Sequence, residues 1–357
     1  MDLKRTFLQT AAAAAAAALL LCGCVHAAAP DDSARSAIVM DAASGRVLYE
    51  KNADARSLIA STTKMMTALL ICEQCALTDV VTVPPEAAGV EGSSMGLTVG
   101  EQLTVEDLLY GMMLRSGNDA AAALAIHCAG SIPKFAARMN CRAARLGLTG
   151  THFENPHGLD GSRHYSTARD LAHLARAAMQ NADFRRIVGT KSITVGERTL
   201  RNHNKLLWQY PGATGVKTGF TKQAGRVLVS SAARDGWEVV CVTIGDPDDW
   251  RDHAALLDYA FETYTPRALL RSGERIARVP VFGGTVDAVG LCTARPVTLP
   301  LAAGERAEVR ILAPHYAFAP VLPGPAGYAE VRVSGAVQCT VPLYYATPVA
   351  AQKTRRR

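Results

Sequence analysis

The periodicity of this chain changes once, after Thr265-Pro266, and that change bounds what it can fold into. Beyond it the apolar segments are short, valine-rich and broken by glycine and proline: residues 276–281, 286–291, 307–312, 329–333 and 337–343. Regular short strands with turn signals between them predict a small all-β sandwich. Before it, a few strand-like runs alternate with many helical ones, an α+β pattern. Residues 37–51 read as a hairpin, with Ile38-Val39-Met40 and Val47-Leu48-Tyr49 joined at Ser44-Gly45. A helix is predicted from Ser61 to about residue 72, opened by a Ser-Thr-Thr cluster. Thr104-x-x-Asp107 resembles a capping box ahead of the apolar run 108–114. A break at Ser116-Gly117-Asn118 precedes an alanine-rich helix to about residue 129. Pro133 starts another helix, which Gly147 can end, and Thr167-x-x-Asp170 starts a further one. Two strands, 227–232 and 239–244, meet at Asp235-Gly236, and residues 250–264 return to helix. The expected organisation is an α+β domain over residues 30–266, a boundary near 267–273, a β-rich domain over 273–345 and a basic tail over 346–357. No repeat of 20–50 residues is visible.

The N-terminus reads as a targeting segment, residues 1–29. Lys4 and Arg5 precede an apolar run over 11–21, and Val25-His26-Ala27 offers small residues for cleavage. Leu21-Cys22-Gly23-Cys24 also resembles a lipobox that would lipidate Cys24. Export to the cell envelope follows under either reading. The formal charge of the 357 residues is +6. The leader holds a net +1, and Lys353, Arg355, Arg356 and Arg357 hold most of the rest, so the body is close to neutral. A nucleic-acid binder would carry its charge on the body as a patch or stripe. The basic tail leaves peripheral contact with anionic lipid open.

Seven cysteines remain beyond the leader, an odd number at scattered spacing. Cys72-x-x-Cys75 has no second pair or histidine cluster beside it. All seven are expected to be packing residues. Nothing has metal-ligand spacing, no glycine loop has phosphate-binding context, and no cofactor is expected.

Three short motifs carry chemistry. Ser61-Thr62-Thr63-Lys64 puts an amine one helical turn from a hydroxyl. A serine hydroxyl needs an adjacent base, and a lysine serves when burial or a nearby cation holds it neutral. Ser116-Gly117-Asn118 presents two polar side chains at an interhelix break, suited to relaying a proton and holding a carbonyl or the lysine. Lys217-Thr218-Gly219 lies on a predicted strand, where alternation separates Thr218 from Lys217 and Gly219. The glycine admits a substrate backbone and the lysine supplies a cation for a carboxylate. Each motif alone has an ordinary reading: a cap with a solvated lysine, a polar turn, an exposed strand lysine. Together and in this order they match the motif set of β-lactamases and penicillin-binding proteins.

The chain resembles the low-molecular-mass penicillin-binding proteins, the serine-type D-Ala-D-Ala carboxypeptidases, over roughly residues 35–345. The likeness extends to the stretches 155–160 and 165–171 and to Tyr210-Pro211-Gly212. It implies a β-lactamase/transpeptidase-like catalytic domain followed by a small β domain. It also implies Ser61 as acyl-enzyme nucleophile, Lys64 as general base, Ser116 and Asn118 as relay and substrate holder, and Lys217 as substrate-binding cation. Thr218 and Gly219 would flank the substrate. Thr221 would supply an oxyanion donor by analogy, and Arg251 is a second candidate for the carboxylate. The implied substrate is a peptidoglycan stem peptide ending in D-Ala-D-Ala, with β-lactams as inhibitors. His157 and His203 are read as loop-fixing residues. Two alternatives stand beside this. A class A-like β-lactamase would need a glutamate-activated water, and Glu154-Asn155-Pro156 does not match that pattern. A catalytically silent envelope-binding protein would not need Ser61, Lys64, Asn118 and Lys217 intact.

Overall fold

The computed structural model describes residues 30–353. The expected leader, its lipobox variant at Cys24 and the last four residues of the basic tail lie outside the described residues. The chain divides into two compact units, the first ending at Phe261 and the second beginning at Glu262.

The first unit opens with β1 (Ser36–Asp41), β2 (Val47–Lys51), a 3-10 turn (Ala60–Thr63) and α1 (Lys64–Gln74). The short strands β3 (Val80–Thr82) and β4 (Gln102–Thr104) lead into α2 (Val105–Leu114), α3 (Asn118–Ala129) and α4 (Ile132–Arg145). Then come α5 (Ala168–Ala178), α6 (Ala182–Gly189), β5 (Ser192–Val195), β6 (Arg198–Arg201) and α7 (Leu206–Gln209). It closes with β7 (Ala213–Thr221), β8 (Gly225–Arg234), β9 (Trp237–Ile244) and α8 (Asp249–Thr263). The main sheet has the order β2-β1-β9-β8-β7, every neighbouring pair antiparallel. All six residues of β1 are buried, because helices cover both faces. On one side α5 packs against β1 and β9. On the other, the buried imidazole of His253 on α8 bonds Ser230 Oγ at 2.7 Å and Thr243 Oγ1 at 2.9 Å. Strand β7 lies at the sheet edge, with one flank unpaired among the described residues.

Helix α1 is buried on every side over its first eight residues, Lys64 to Ile71, as a central helix requires. The six consecutive core residues Ala120–Ala125 of α3 are buried too, five of them alanines that let α1 and α2 approach closely. The capping signals act as read: Thr104 and Asp107 close a capping box, and Thr167 accepts from Asp170 N. The Ser-Thr-Thr cluster does not cap α1. Thr62 Oγ1 donates to Ile59 O at 2.6 Å and Thr63 Oγ1 bonds His164 Nε2 at 2.7 Å. Its first residues form the 3-10 turn instead, and Ser61 sits within that turn.

The second unit contains β10 (Tyr264–Leu270), β11 (Arg275–Phe282), β12 (Ala288–Thr293), β13 (Val297–Ala302), β14 (Ala307–Leu312), β15 (Ala317–Phe318), β16 (Gly324–Val333) and β17 (Ala336–Tyr345). A six-stranded sheet runs β14-β16-β17-β12-β11-β15, and β10 pairs with β13 alone. Leu270, Val297 and Leu299 pack on Val331, Val333 and Val341, joining the two sheets face to face. The stretch expected as an interdomain boundary, 267–273, is therefore mostly strand. Its signal was masked by Pro266, which lies opposite Pro300 in the β10–β13 ladder. Prolines donate no ladder bond and read as breaks.

Candidate active site

The 3-10 turn and the edge strand β7 are pressed together backbone to backbone. A Cβ on Gly219 would lie 3.1 Å from both Ile59 O and Ser61 N. Only a glycine lets the strand approach this closely without displacement. A second glycine closes the turn from behind: Gly158 has φ +90°, and a Cβ there would sit 1.9 Å from Ala60 O. Ala60 itself has φ +46°, a left-handed conformation that a non-glycine residue holds only when its surroundings enforce it.

Behind Ser61, Lys64 is fully buried. Its Nζ lies 2.9 Å from Ser61 Oγ, 2.6 Å from Asn118 Oδ1 and 2.6 Å from the His157 carbonyl. Burial pushes the ammonium pKa well below its ordinary value, and the charge of Lys217 pushes it further, against a smaller opposing pull from Asp119. A neutral amine has two hydrogens and one lone pair. The two shorter contacts take the hydrogens, and the lone pair is left facing the Ser61 hydroxyl. This is the arrangement of a general base on its nucleophile.

The other partners are held by the helix starts. Asn118 begins α3, its Nδ2 donates to Glu91 O at 2.5 Å and its backbone N to Ser93 O at 2.7 Å. That fixes Oδ1 toward Lys64. Asp119, also buried, accepts from the backbone N–H groups of Met95, Gly96 and Leu97, each at 3.1 Å. It thereby ties the 93–97 loop to α3 and sets Ser93 at the cleft. Ser116, at φ +63°, is buried and lines the same cleft. The loop 155–159 is fixed by Asn155, whose Oδ1 accepts from Gly158 N at 2.7 Å and whose Nδ2 donates to Leu159 O at 2.9 Å. The His157 side chain accepts from Leu159 N, and burial lowers its pKa to about 3. The imidazole is thus a loop-fixing group, while its carbonyl is a partner of Lys64 that no side-chain pattern announces.

The cleft in front of Ser61 has a volume of about 270 Å³ and is lined by Ser116, Thr218, Gly219, Phe220, Arg226 and Trp250, among others. Lys217 lies beneath this surface: it is buried, and its Nζ donates to Thr218 O at 2.8 Å. Burial lowers its pKa to about 7. Three expectations are corrected. Arg251 does not line the cleft; its guanidinium is exposed and paired with Asp248 and Asp252, each at 2.9 Å. Arg226, from β8, occupies the cleft wall instead, paired with Asp249 at 2.7 Å and with its buried Nε unpartnered among the described residues. Thr221 bonds Asp160 and Ala224 N at the end of β7, and Phe220 takes its place in the lining. His203, read as loop-fixing, does line the cleft; burial, then Lys217 and Arg115, lower its pKa to about 4. Glu154 accepts from Arg163 N at 3.1 Å and is absent from the lining, so among the described residues no glutamate lines the cleft where the lactamase alternative requires one.

The profile of the D-alanyl-D-alanine carboxypeptidase peptidases matches residues 24–248. The chain is 35% identical to the D-alanyl-D-alanine carboxypeptidase DacF of Bacillus subtilis over 285 residues, covering 76% of this chain and 73% of that one. Among solved structures, penicillin-binding protein 5 from Haemophilus influenzae superposes with a TM-score of 0.81 at 30% identity, over 90% of this chain and 98% of its own. A DD-transpeptidase from Streptomyces K15 superposes with a TM-score of 0.63 at 36% identity, over 65% of this chain and 99% of its own.

Proposed function

The chain belongs to the D-alanyl-D-alanine carboxypeptidase family of serine peptidases, and from that premise we propose how its own residues carry the reaction. The observation that supports the reading best is the 2.9 Å contact between Ser61 Oγ and a buried Lys64 held neutral. Ser61 Oγ attacks the carbonyl carbon of the penultimate D-alanine, and its proton passes to Lys64 Nζ. The oxyanion is received by backbone N–H groups of Ser61 and of the Gly219-Phe220 stretch of the edge strand. The intermediate collapses, the terminal D-alanine leaves with a proton passed from Lys64 by way of Ser116, and an ester on Ser61 remains. Water then releases the shortened peptide, with Lys64 again as base.

The free carboxylate of the terminal residue meets the Thr218 hydroxyl and the Arg226 guanidinium, with the Lys217 charge beneath the floor. The substrate is a peptidoglycan stem peptide ending in D-Ala-D-Ala, and the site of action is the bacterial cell envelope. The chemistry resides in the first unit, which carries all these residues. A β-lactam presents a strained amide and a carboxylate at the same spacing, so it acylates Ser61 and stays. The four positive charges of the basic tail support peripheral contact with anionic lipid.

Intact-mass spectrometry after incubation with benzylpenicillin tests this reading. One stable adduct is expected on the wild-type protein and none on Ser61→Ala. Rapid β-lactam turnover without an adduct would replace it with a lactamase reading.

A further inference from the structure

Helices α1 and α3 carry the catalytic groups at their N-terminal ends, Lys64 on one and Asn118 on the other. Their C-terminal ends meet as well, at two thiols. Cys75 caps α1 and Cys128 lies in the last turn of α3. The two thiols are neighbours: Cys128 Sγ donates to Oε1 of Gln74, the residue beside Cys75, at 3.6 Å, and each thiol perturbs the other. Arg138, on α4, reaches across the pair: its Nη1 donates to Cys128 Sγ at 3.4 Å, to Cys128 O at 2.9 Å and to Gln74 Oε1 at 2.9 Å. Both thiols are half-buried, and neither has a part in the mechanism above.

Both cysteines also pack against the apolar core, but the Arg138 contact gives Cys128 a polar, charged neighbour that packing alone does not need. The neighbouring Cys75 thiol and the Arg138 guanidinium pull the Cys128 thiol below its ordinary pKa, while Cys128 and burial raise Cys75. A thiolate beside an arginine and open to solvent is the reactive form. Cys128 is therefore the attacking sulfur and Cys75 the resolving one.

We propose that Cys75 and Cys128 form a reversible disulfide that pins the C-terminal ends of the two catalytic helices together. The oxidant is an external disulfide, on a small molecule or a protein, of the kind an oxidising envelope compartment supplies; that source rests on the location proposed above, whereas the thiol chemistry does not. The Cys128 thiolate attacks one sulfur of that disulfide and expels the other as a thiolate. Cys75 then gives its proton to solvent and attacks the Cys128 sulfur, expelling the second thiolate. The two cysteines together lose two electrons and two protons, and the oxidant takes up both electrons to become two thiols. The bond closes a loop of about 54 residues. Because the two helices start at Lys64 and Asn118, it also resists their separation at the catalytic end.

The test uses the full chain, treated with oxidised glutathione or with dithiothreitol, blocked with N-ethylmaleimide and digested without reduction. Mass spectrometry should find a linked peptide pair joining Cys75 to Cys128, about 2 Da lighter than the two thiols, and two fewer maleimide adducts. Dithiothreitol should reverse it. Cys128→Ser should abolish it, and Cys72→Ser and Cys141→Ser should keep it. Labels retained on both cysteines, a Cys72–Cys75 link, or only intermolecular links through the exposed Cys141 would overturn the proposal. The second readout is the half-life of penicillin acylation at elevated temperature. It should be several-fold longer for the oxidised protein than for the reduced protein or for the Cys75→Ser/Cys128→Ser double variant. Equal half-lives would overturn the pinning. Failure of the catalytic assignment would appear differently, as no penicillin adduct in either redox state.

Discussion

Replacing Gly219 with alanine adds one methyl group at the closest approach of strand and nucleophile. That methyl would sit 3.1 Å from Ile59 O and from Ser61 N and 3.2 Å from Ala60 Cβ. Ordinary contact for such atoms begins near 3.5 Å, so the strand and turn must part by roughly 0.3–0.4 Å. A misplacement of 1 Å costs about 100-fold in rate, which scales here to a loss of roughly 4–6-fold. The backbone at Gly219 is not left-handed, so alanine brings no φ strain, and in a strand it is worth about 0.5–1 kcal/mol more than glycine. The two effects therefore separate. The second-order rate of acylation by a fluorescent penicillin should fall about fivefold while the thermal midpoint stays level or rises slightly. Wild-type acylation by Gly219→Ala would mean that the apposition of β7 and the turn does not set the reacting geometry. A collapse in thermal stability would mean that the contact is structural and the kinetic argument is void.

Gly158→Ala should show the opposite partition, because its methyl would meet the Ala60 carbonyl at 1.9 Å in a left-handed backbone; a loss of about 3 kcal/mol or more is expected in denaturant unfolding. Arg226→Ala should raise KM for a peptide with a free C-terminal carboxylate by about tenfold, while Arg251→Ala should change it less than about twofold, since Arg226 lines the cleft and Arg251 does not; steady-state hydrolysis of a D-Ala-D-Ala tripeptide by both variants decides between them. The Lys217 pKa is lowered to about 7, so its positive charge is present below that pH and lost above it. KM for the free carboxylate should therefore climb between about pH 6 and pH 8.5, and KM for the C-terminally amidated peptide should stay flat; parallel pH profiles for the two peptides would remove Lys217 from carboxylate attraction.

What the sequence shows and hides in this site follows from which groups carry the signal. Ser61 with Lys64 and Ser116 with Asn118 are close in sequence, and each pair stands at a helix start, so spacing and breakers expose them. Lys217, Thr218 and Gly219 are visible as a strand motif. The sequence does not reveal that Lys217 lies beneath the cleft with its amine on Thr218 O, because alternation assigns a face and not a depth. The His157 carbonyl is a backbone group and leaves no residue signature. Arg226 reaches the cleft only because β8 pairs with β7, Arg226 lying opposite Phe220, a long-range consequence of sheet register. The direction of Arg251 is hidden for a related reason. A helix-start position says little about direction, and Asp248 and Asp252 beside it capture the guanidinium. Strands β10 and β13 were hidden by their facing prolines, and the Cys75–Cys128 pair by a separation of 53 positions.

The base, finally, is a product of packing more than of any single neighbour. A lysine in water is protonated at neutral pH, and a hydrogen-bonded serine beside it would remain inert. Here the amine sits at the start of a helix whose next seven residues are all buried, inside a core built from α1, α2 and α3. Burial is the largest influence on its pKa, and the second lysine adds to it. The acceptors around Nζ are an amide oxygen and a carbonyl, neither of them a carboxylate. A carboxylate in either place would stabilise the ammonium and silence the base. The carboxylate that acts on Lys64 among the described residues, Asp119, is occupied by the backbone N–H groups of the 93–97 loop. The fold thus spends that charge on holding the cleft wall and keeps it off Lys64. On this argument Asn118→Asp, nearly isosteric, should be far more damaging to acylation than its size suggests, since it would place a negative charge at the position 2.6 Å from Nζ. Acylation should recover only as pH is raised enough to deprotonate Lys64 again. A variant with wild-type acylation at pH 7 would show that the neutrality of Lys64 is not what makes Ser61 reactive.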